Sequence, residues 1–428
     1  MRNVMGRVTA AVAMTIAAAF IYIAPAKATS GYLLWCQGAV NCAMGGAGIA
    51  IHGGVGGALN NPASLARAKN EFMGGIGIIP YMPTNVNYQD ENGVGLVNSG
   101  PGDQKSAKRL FYGSSFGLNY RLSDTVSIGF VGGGTGGLGG KFAQARFAEP
   151  ANAAILDDNG ETGYDTQTYN GVVTFSPTIA WAPTETLAVG LSAVVGYSRF
   201  KSNSAIFNPD PVGVSTFVQT KGRLDDDDAL GLGLRIGAIW DVTPEWGIGF
   251  AMQSPIFFEP FEKYDDLLIG SVDSPGWATV GVVWHQSPKL DIAFDFRVQF
   301  NHWTRIISAS NDQGGFGWAN TNEFALGASY ELTEKWTVRA GVNYSDQIIE
   351  ENEVFANSLS PLVEKWKFDI GGGYKIDDHD RHVLNFSAHF MPRAGRAENG
   401  NSAVGAIGKG TTHGHIMAGG KIAYTYRY

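Results

Sequence analysis

A chain of 428 residues with 31 basic and 39 acidic side chains carries a net charge of −8, a balance that argues against a nucleic-acid partner. Only 16% of residues are charged, while 58 glycines and 12% aromatics suit either a membrane β-barrel, whose strands turn one face to lipid, or a large exported β-sandwich. Beyond residue 28 no segment has the ~20 apolar residues a spanning helix needs, which excludes a helical membrane bundle.

The first element is not structural. Arg2 and Arg7 precede an apolar run from Val8 to Ile23, and Ala26-Lys27-Ala28 has the small-x-small form of a cleavage site. Residues 1–28 therefore read as a secretory signal peptide, with the mature chain starting near Thr29. As a membrane anchor the run is short. Removing Arg2, Arg7 and Lys27 takes the net charge from −8 to −11. Export implies an oxidising compartment, so Cys36 and Cys42 are expected to form a local disulfide. Two thiols with His52 as the nearest histidine do not make a metal centre, and no cofactor is expected.

Residues 29–70 do not alternate. They hold the apolar Tyr32-Leu33-Leu34-Trp35, a Gly/Ala-rich stretch, and Leu59-Asn60-Asn61-Pro62-Ala63-Ser64-Leu65. From residue 71 to 428 the pattern changes to period 2. Leu290, Ile292, Phe294, Phe296, Val298 and Phe300 fall on one face, opposite Asp291, Ala293, Asp295, Arg297 and Gln299. The same alternation runs through Leu230–Trp240, Phe324–Leu332, Trp336–Tyr344 and Trp366–Tyr374. These runs match the roughly 9–11 residues of a spanning strand better than the ~5–6 of a soluble one. Trp240, Trp246, Trp336 and Trp366 sit near run ends, where an interfacial girdle belongs.

Connections alternate as well. Short turns fall near Ser123-Asp124, Ala182–Thr186, Val242–Glu245, Gln286–Lys289, Thr333-Glu334 and Asp377–Asp380. Long polar segments lie near 83–108, 141–168, 204–227, 255–275, 307–320, 347–363 and 393–411. Six short and seven long connections imply about fourteen strands, with both chain ends on the periplasmic side. The fold class is all-β: a transmembrane antiparallel barrel with an N-terminal plug. An Arg or Lys facing lipid at mid-membrane costs about 2–4 kcal/mol, so Asp295, Arg297, Arg339 and Lys367 should face the lumen. A barrel of about fourteen strands is wide enough to hold residues 29–70. The last run, Ile416 to Tyr428, ends on an aromatic and resembles the signal read by the barrel assembly machinery. The outer-membrane lipids and lipopolysaccharide are the surroundings this implies, with the protein a monomer.

Gly45-Gly46-Ala47-Gly48 followed by Asn61-Pro62-Ala63 resembles the plug of the FadL/TodX family of outer-membrane transporters for long-chain fatty acids and aromatic hydrocarbons. Ser254-Pro255-Ile256 after Trp246–Phe250, and Asn301-His302-Trp303-Thr304, resemble stretches of that family's seventh and ninth strands. The paired Cys36 and Cys42 depart from the family pattern. The resemblance implies passive, plug-gated movement of a hydrophobic small molecule, with sideways exit beside a kinked third strand. On that reading Tyr32, Leu33, Leu34 and Trp35 contact ligand, Asn61, Pro62 and Ala63 fix the plug, and Gly132, Gly133 and Gly134 open the wall, in a run where glycine weakens the strand. The bland alternative for that run is a flexible strand end.

Other candidates read as solvated charge: Asp225–Asp228, a possible cation site near lipopolysaccharide, and the Asp377–His382 turn. His413 and His415 share a face of the last run, but zinc needs further ligands. The Gly-x-Gly pairs open no helix, so nucleotide binding has no support, and no catalytic triad spacing points to an enzyme. Two rival functions are a general diffusion porin, which predicts an open conducting channel, and a surface adhesin or structural barrel, whose deletion would leave uptake of hydrophobic compounds unchanged.

Overall fold

The computed structural model describes residues 32–87, 110–142, 166–202, 205–208, 216–219, 225–265, 267–357, 362–402 and 409–428; the expected signal peptide over 1–28 lies outside them. Among these residues fourteen long antiparallel strands pair in chain order. They are β1 (Glu71–Asn87), β2 (Leu110–Arg121), β3 (Val126–Phe142), β4 (Thr166–Trp181), β5 (Leu187–Ser202), β6 (Asp227–Thr243) and β7 (Trp246–Gln253). The second half comprises β8 (Gly276–Ser287), β9 (Leu290–Phe300), β10 (Thr321–Glu331), β11 (Trp336–Ser345), β12 (Trp366–Lys375), β13 (His382–Ala397) and β14 (Thr412–Arg427). Pairing of β1 with β14, from Glu71↔Arg427 upward, closes the barrel. Closure is what lipid demands, because an open edge there would leave N–H and C=O groups without partners. A small hairpin, Ala205–Asn208 with Thr216–Gln219, decorates the β5–β6 connection, and Phe257–Phe258 adds a short pairing to β6.

The six tight turns join β2 to β3, β4 to β5, and so on to β12 and β13, as the alternation implies. Sidedness is inverted relative to a soluble protein. On β6, Leu230, Leu232, Leu234 and Ile236 are exposed while Arg235 is buried. On β9, Asp295, Arg297 and Gln299 are buried, as is Lys367 on β12. Arg339 turns the same way and donates to Asn385 Oδ1 at 3.3 Å. Trp181, Trp240, Trp246, Trp336 and Trp366 stay exposed at strand ends, and Trp246 stacks on Trp284 at 5.8 Å. Leu234, midway along β6, should therefore tolerate no charge. Leu234→Arg is expected to lower stability in lipid vesicles by about 2–4 kcal/mol in urea unfolding, against little change for Leu234→Ile.

At the long-loop end, Ile306, Ile307, Trp318, Ile348, Ile349 and Val354 pack into one apolar cluster that roofs the barrel. Two carboxylates tie it together. Glu353 Oε2 accepts from Asn311 N at 3.0 Å, and Glu398 Oε2 accepts from Phe355 N at 3.0 Å. Burial pushes the Glu353 carboxyl up to about 7; the Asn311 N–H pulls the other way, and Asp312, Glu398 and Glu350 add to the rise. Burial also raises Glu398. A carboxyl with a higher pKa in the packed loop than in the open one binds its proton more tightly when packed. The roof should thus gain stability as pH falls through 7 and lose it above. Amide exchange of residues 346–357, corrected for intrinsic rates, should slow between about pH 8 and 6 in the native protein, and Glu353→Gln should flatten that dependence.

Candidate ligand site

Residues 32–70 run through the lumen. Helix α1 (Ala39–Ala43) packs on β11, β12, β13 and β14, helix α2 (Gly54–Ala58) on β1, β2 and β3, and the 3-10 turn Pro62–Leu65 on β3, β4, β5 and β6. A segment that touches strands on opposite sides of a closed wall crosses its interior. Asn61 builds the turn: its Oδ1 accepts from Ala63 N at 3.1 Å, with Pro62 at the first position. Its Nδ2 donates to Ile49 O at 2.8 Å and to Ala238 O on β6 at 3.1 Å. The wall makes room with glycine. A Cβ at Gly237 would lie 2.0 Å from Asn61 Oδ1, one at Gly190 2.4 Å from Pro62 C, and one at Gly341 2.1 Å from Met44 C.

The buried lumen charges find their partners in this segment. Asp295 Oδ2 accepts from Gly48 N and Ile49 N, both at 2.9 Å. Arg235 Nη1 donates to Leu59 O at 2.7 Å, and Lys421 Nζ to Cys36 O at 3.2 Å. Trp277 lies between Arg235 and Arg297, 5.7 and 5.2 Å from its ring centre. Cys36 and Cys42 are joined by a disulfide, with Cα atoms 4.9 Å apart.

Ahead of Cys36, the segment reaches the wall at β3. Leu34 N donates to Thr135 O at 3.1 Å, Gly137 N donates to Tyr32 O at 3.1 Å, and Leu33 bridges Gly136. These bonds fall where β3 lacks its strand neighbour. Pairing of β2 with β3 runs from Arg121↔Ser127 to Ser115↔Gly133 and stops, although both strands continue. On its other side β3 stays paired with β4 throughout, with a bulge between Gly134 and Gly136. The extra residue reverses which face is lumenal, so Leu138 is buried against Tyr32 and Val172. The weak point expected over Gly132, Gly133 and Gly134 is thus narrower than the sequence implied: Gly132 and Gly133 are paired on both sides, and the seam opens from Gly134 on.

A cavity of about 360 Å³ occupies this place. All four of Tyr32, Leu33, Leu34 and Trp35 line it, with Leu138, Val172, Leu362 and Met391 opposite. Tyr32 OH donates to Asn170 Oδ1 at 2.5 Å, and Asn170 Nδ2 to Ser198 Oγ at 2.9 Å. Trp35 Nε1 donates to Asp369 Oδ2 at 3.4 Å, and its ring meets His389 edge-on at 4.9 Å. The site is apolar with a few polar fixtures, the common form of a small-molecule pocket. Asn61, Pro62 and Ala63 do not line it; they lie against Gly190 on β5 and Gly237 on β6. Of Gly132, Gly133 and Gly134, only Gly134 lines it. Asn170, Leu138, Val172 and Met391 were not singled out from sequence; alternation marks most lumenal residues but not which of them converge.

The remaining candidates are ordinary. Asp228 pairs with Arg199 at 2.7 Å and Asp226 with Lys201 at 3.2 Å. Asp378 meets Lys335 at 2.7 Å, and Asp377 accepts the Arg381 backbone N–H at 2.9 Å. His413 is buried; the side chain of His415 lies outside the described ones. Among the described residues no three of His, Cys, Asp and Glu converge as metal ligands would.

Asp295 is the anchor whose loss should show most directly. Asp295→Ala leaves two backbone donors unpaired, each worth about 1–3 kcal/mol. Exchange of the Gly48 and Ile49 amides is expected to rise roughly ten- to a hundredfold, while amides of β9 and β10 stay protected.

Comparison with known proteins gives a consistent result. Residues 20–426 match the model of a family described as outer membrane protein transport protein (OMPP1/FadL/TodX). Outer membrane protein P1 of Haemophilus influenzae is 25% identical over 176 residues, which is 36% of this chain and 36% of that protein, so the chain matches about a third of its curated relative's length. Among solved structures, a Pseudomonas aeruginosa FadL homologue superposes with a TM-score of 0.68 at 14% identity, covering 93% of this chain and 100% of the other. The Pseudomonas putida toluene transporter TodX gives 0.67 at 16%, covering 92% and 99%. The Ralstonia pickettii toluene transporter TbuX gives 0.60 at 18%, with the same coverage. At these identities the structural likeness establishes the barrel fold.

Proposed function

The chain belongs to the OMPP1/FadL/TodX family of outer-membrane transport proteins, and we propose that it carries small hydrophobic molecules across the outer membrane by passive diffusion, gated by residues 29–70 acting as a plug and released sideways between β2 and β3. The observation that carries this reading is the seam above Gly133, where β2 and β3 part and one cavity is lined both by lumenal Tyr32 and Val172 and by residues of the outer face such as Tyr112. The route runs from outer loops to the cavity, where Tyr32–Trp35 contact the molecule, and out through the wall once Tyr32 and Leu34 release β3. Asn61-Pro62-Ala63 holds the rest of the plug in place meanwhile. An axial path fits less well. At the short-turn end Arg67 and His52 both meet Asp241, and residues 37–66 pack in the lumen above it. The same filling disfavours a general diffusion porin, which needs an open water path.

The family likeness extends to toluene transporters and to a FadL homologue, so aromatic hydrocarbons and fatty acids are the first ligands to assay. A Cβ at Gly134 would find only Gly113 Cα at 3.8 Å and Ser114 N at 4.0 Å, so the position accepts a side chain. Gly134→Phe is expected to fill the seam, leave the barrel folded, and reduce uptake of labelled toluene or oleate by intact cells to that of a deletion strain. Undiminished uptake in a correctly folded Gly134→Phe protein would remove the lateral route.

A further inference from the structure

The cavity does not stop at the wall. It continues onto the lipid-facing surface, where Gly137, Gly139 and Gly171 form a floor without side chains and Tyr112, Tyr169, Tyr197 and Arg199 stand around it. Strand alternation fixes these as outward residues. Phe175 and Ile179 on β4 and Leu191 on β5 share their parity and are exposed, whereas the intervening Asn170, Val172 and Ser198 are buried. Tyr112 is 76% exposed, the most of any large hydrophobic among the described residues. The groove is also built rather than incidental. Arg199 is held by Asp228 through Nε at 2.7 Å and Nη2 at 3.0 Å, and Nη2 donates to Tyr197 OH at 2.9 Å. Tyr169 folds across Gly171, its OH 2.4 Å from where a Cβ would stand.

We propose that this glycine-floored, tyrosine-walled groove on the outside of the barrel is a second binding site, which receives the transported apolar molecule as it leaves the seam and before it disperses into the bilayer. The inference rests on the lateral-exit reading. Continuity with the lumenal cavity names the occupant. A molecule in the seam touches Tyr32 at one end and Tyr112 at the other without crossing water. Ring faces favour a flat or aromatic guest, since aromatic pairs prefer offset or edge-on contact at ring separations of about 4.5–7 Å. The tyrosine hydroxyls and the Arg199–Asp228 pair mark the outer interfacial level, where amphipathic rings are favoured. A guest there is held by rings below and faces the outer leaflet above.

The test uses the full-length protein in phospholipid vesicles with a photoreactive aryl diazirine as probe, added from the loop side, and maps labelled residues by mass spectrometry. Tyr112 and Tyr169 should be labelled well above Ile370, an exposed lipid-facing residue on the far wall, and this excess should vanish in Gly134→Phe. Tyr112→Ala, at an exposed position that burdens no packing, should lower both the groove labelling and the uptake rate about threefold, the loss of one aromatic contact. Labelling that persists in Gly134→Phe would show that the groove fills from the bilayer, with a lipid acyl chain as its occupant, and would overturn the proposal. Uptake and labelling unchanged in Tyr112→Ala would overturn it too. If Gly134→Phe blocks uptake while Tyr112→Ala does not, the lateral route stands and only the groove falls. If neither variant alters uptake, the lateral route itself fails.

Discussion

Lipid offers a backbone no hydrogen bonds, and that constraint organises this molecule down to its one exception. Among the described residues the strands pair in order around the ring, and the β2–β3 ladder stops at Ser115↔Gly133 although both strands continue. The free edge of β3 is not left bare. Tyr32 and Leu34 supply the missing acceptor and donor from inside. The N-terminal segment thus covers part of this seam with two backbone hydrogen bonds. A covering made of two hydrogen bonds is weak enough to be exchanged, since each is worth about 0.5–1.5 kcal/mol net.

The inverted sidedness creates a second demand. With apolar faces outward, the lumen inherits Arg235, Arg297, Asp295, Glu323, Lys367 and Asp369, all buried. A buried charge without a partner costs far more than the pair gains, so something must fill the barrel and present polar atoms. The segment from Cys36 to Leu59 does so chiefly with its backbone: carbonyls for Arg235 and Lys421, N–H groups for Asp295. Backbone can approach that closely only where the wall has no side chains, which explains glycine at 190, 237 and 341. These glycines are contact surfaces between wall and filling.

The barrel was legible because its signal is local. Period-2 alternation and the lengths of the connections are properties of short windows, and they placed all six tight turns and the faces of Asp295, Arg297 and Lys367. The apolar Tyr32–Trp35 stood out for the same reason. What was not legible depends on register. Whether Asn170, Leu138 and Met391 converge on Tyr32 is decided by how strands far apart in sequence align, and by a bulge at Gly134/Gly136 that changes the parity of β3. Alternation read straight through that bulge would send Leu138 into lipid. The glycine run announced a weak strand, but the seam begins at Gly134 because the β2–β3 ladder ends at Ser115↔Gly133, and nothing in residues 132–134 encodes that register.

The proposed exit through the β2–β3 seam has an energetic logic that composition alone does not reveal. An apolar guest gains about 25 cal/mol per Å² on leaving water, so a one-ring molecule burying roughly 150–200 Å² gains about 4–5 kcal/mol. A route that released it from the short-turn end would have to return that sum and pass the Arg67–Asp241–His52 cluster. On the proposed lateral route nothing is returned, because the guest would pass from an apolar cavity to an apolar bilayer. On the proposed lateral route the same arithmetic would select the cargo. A polar solute reaching the seam would have to shed its water for a mostly apolar lining, whose polar groups include Asn170, Lys367, Glu364 and Arg199, so a wall open to lipid would itself discriminate through desolvation.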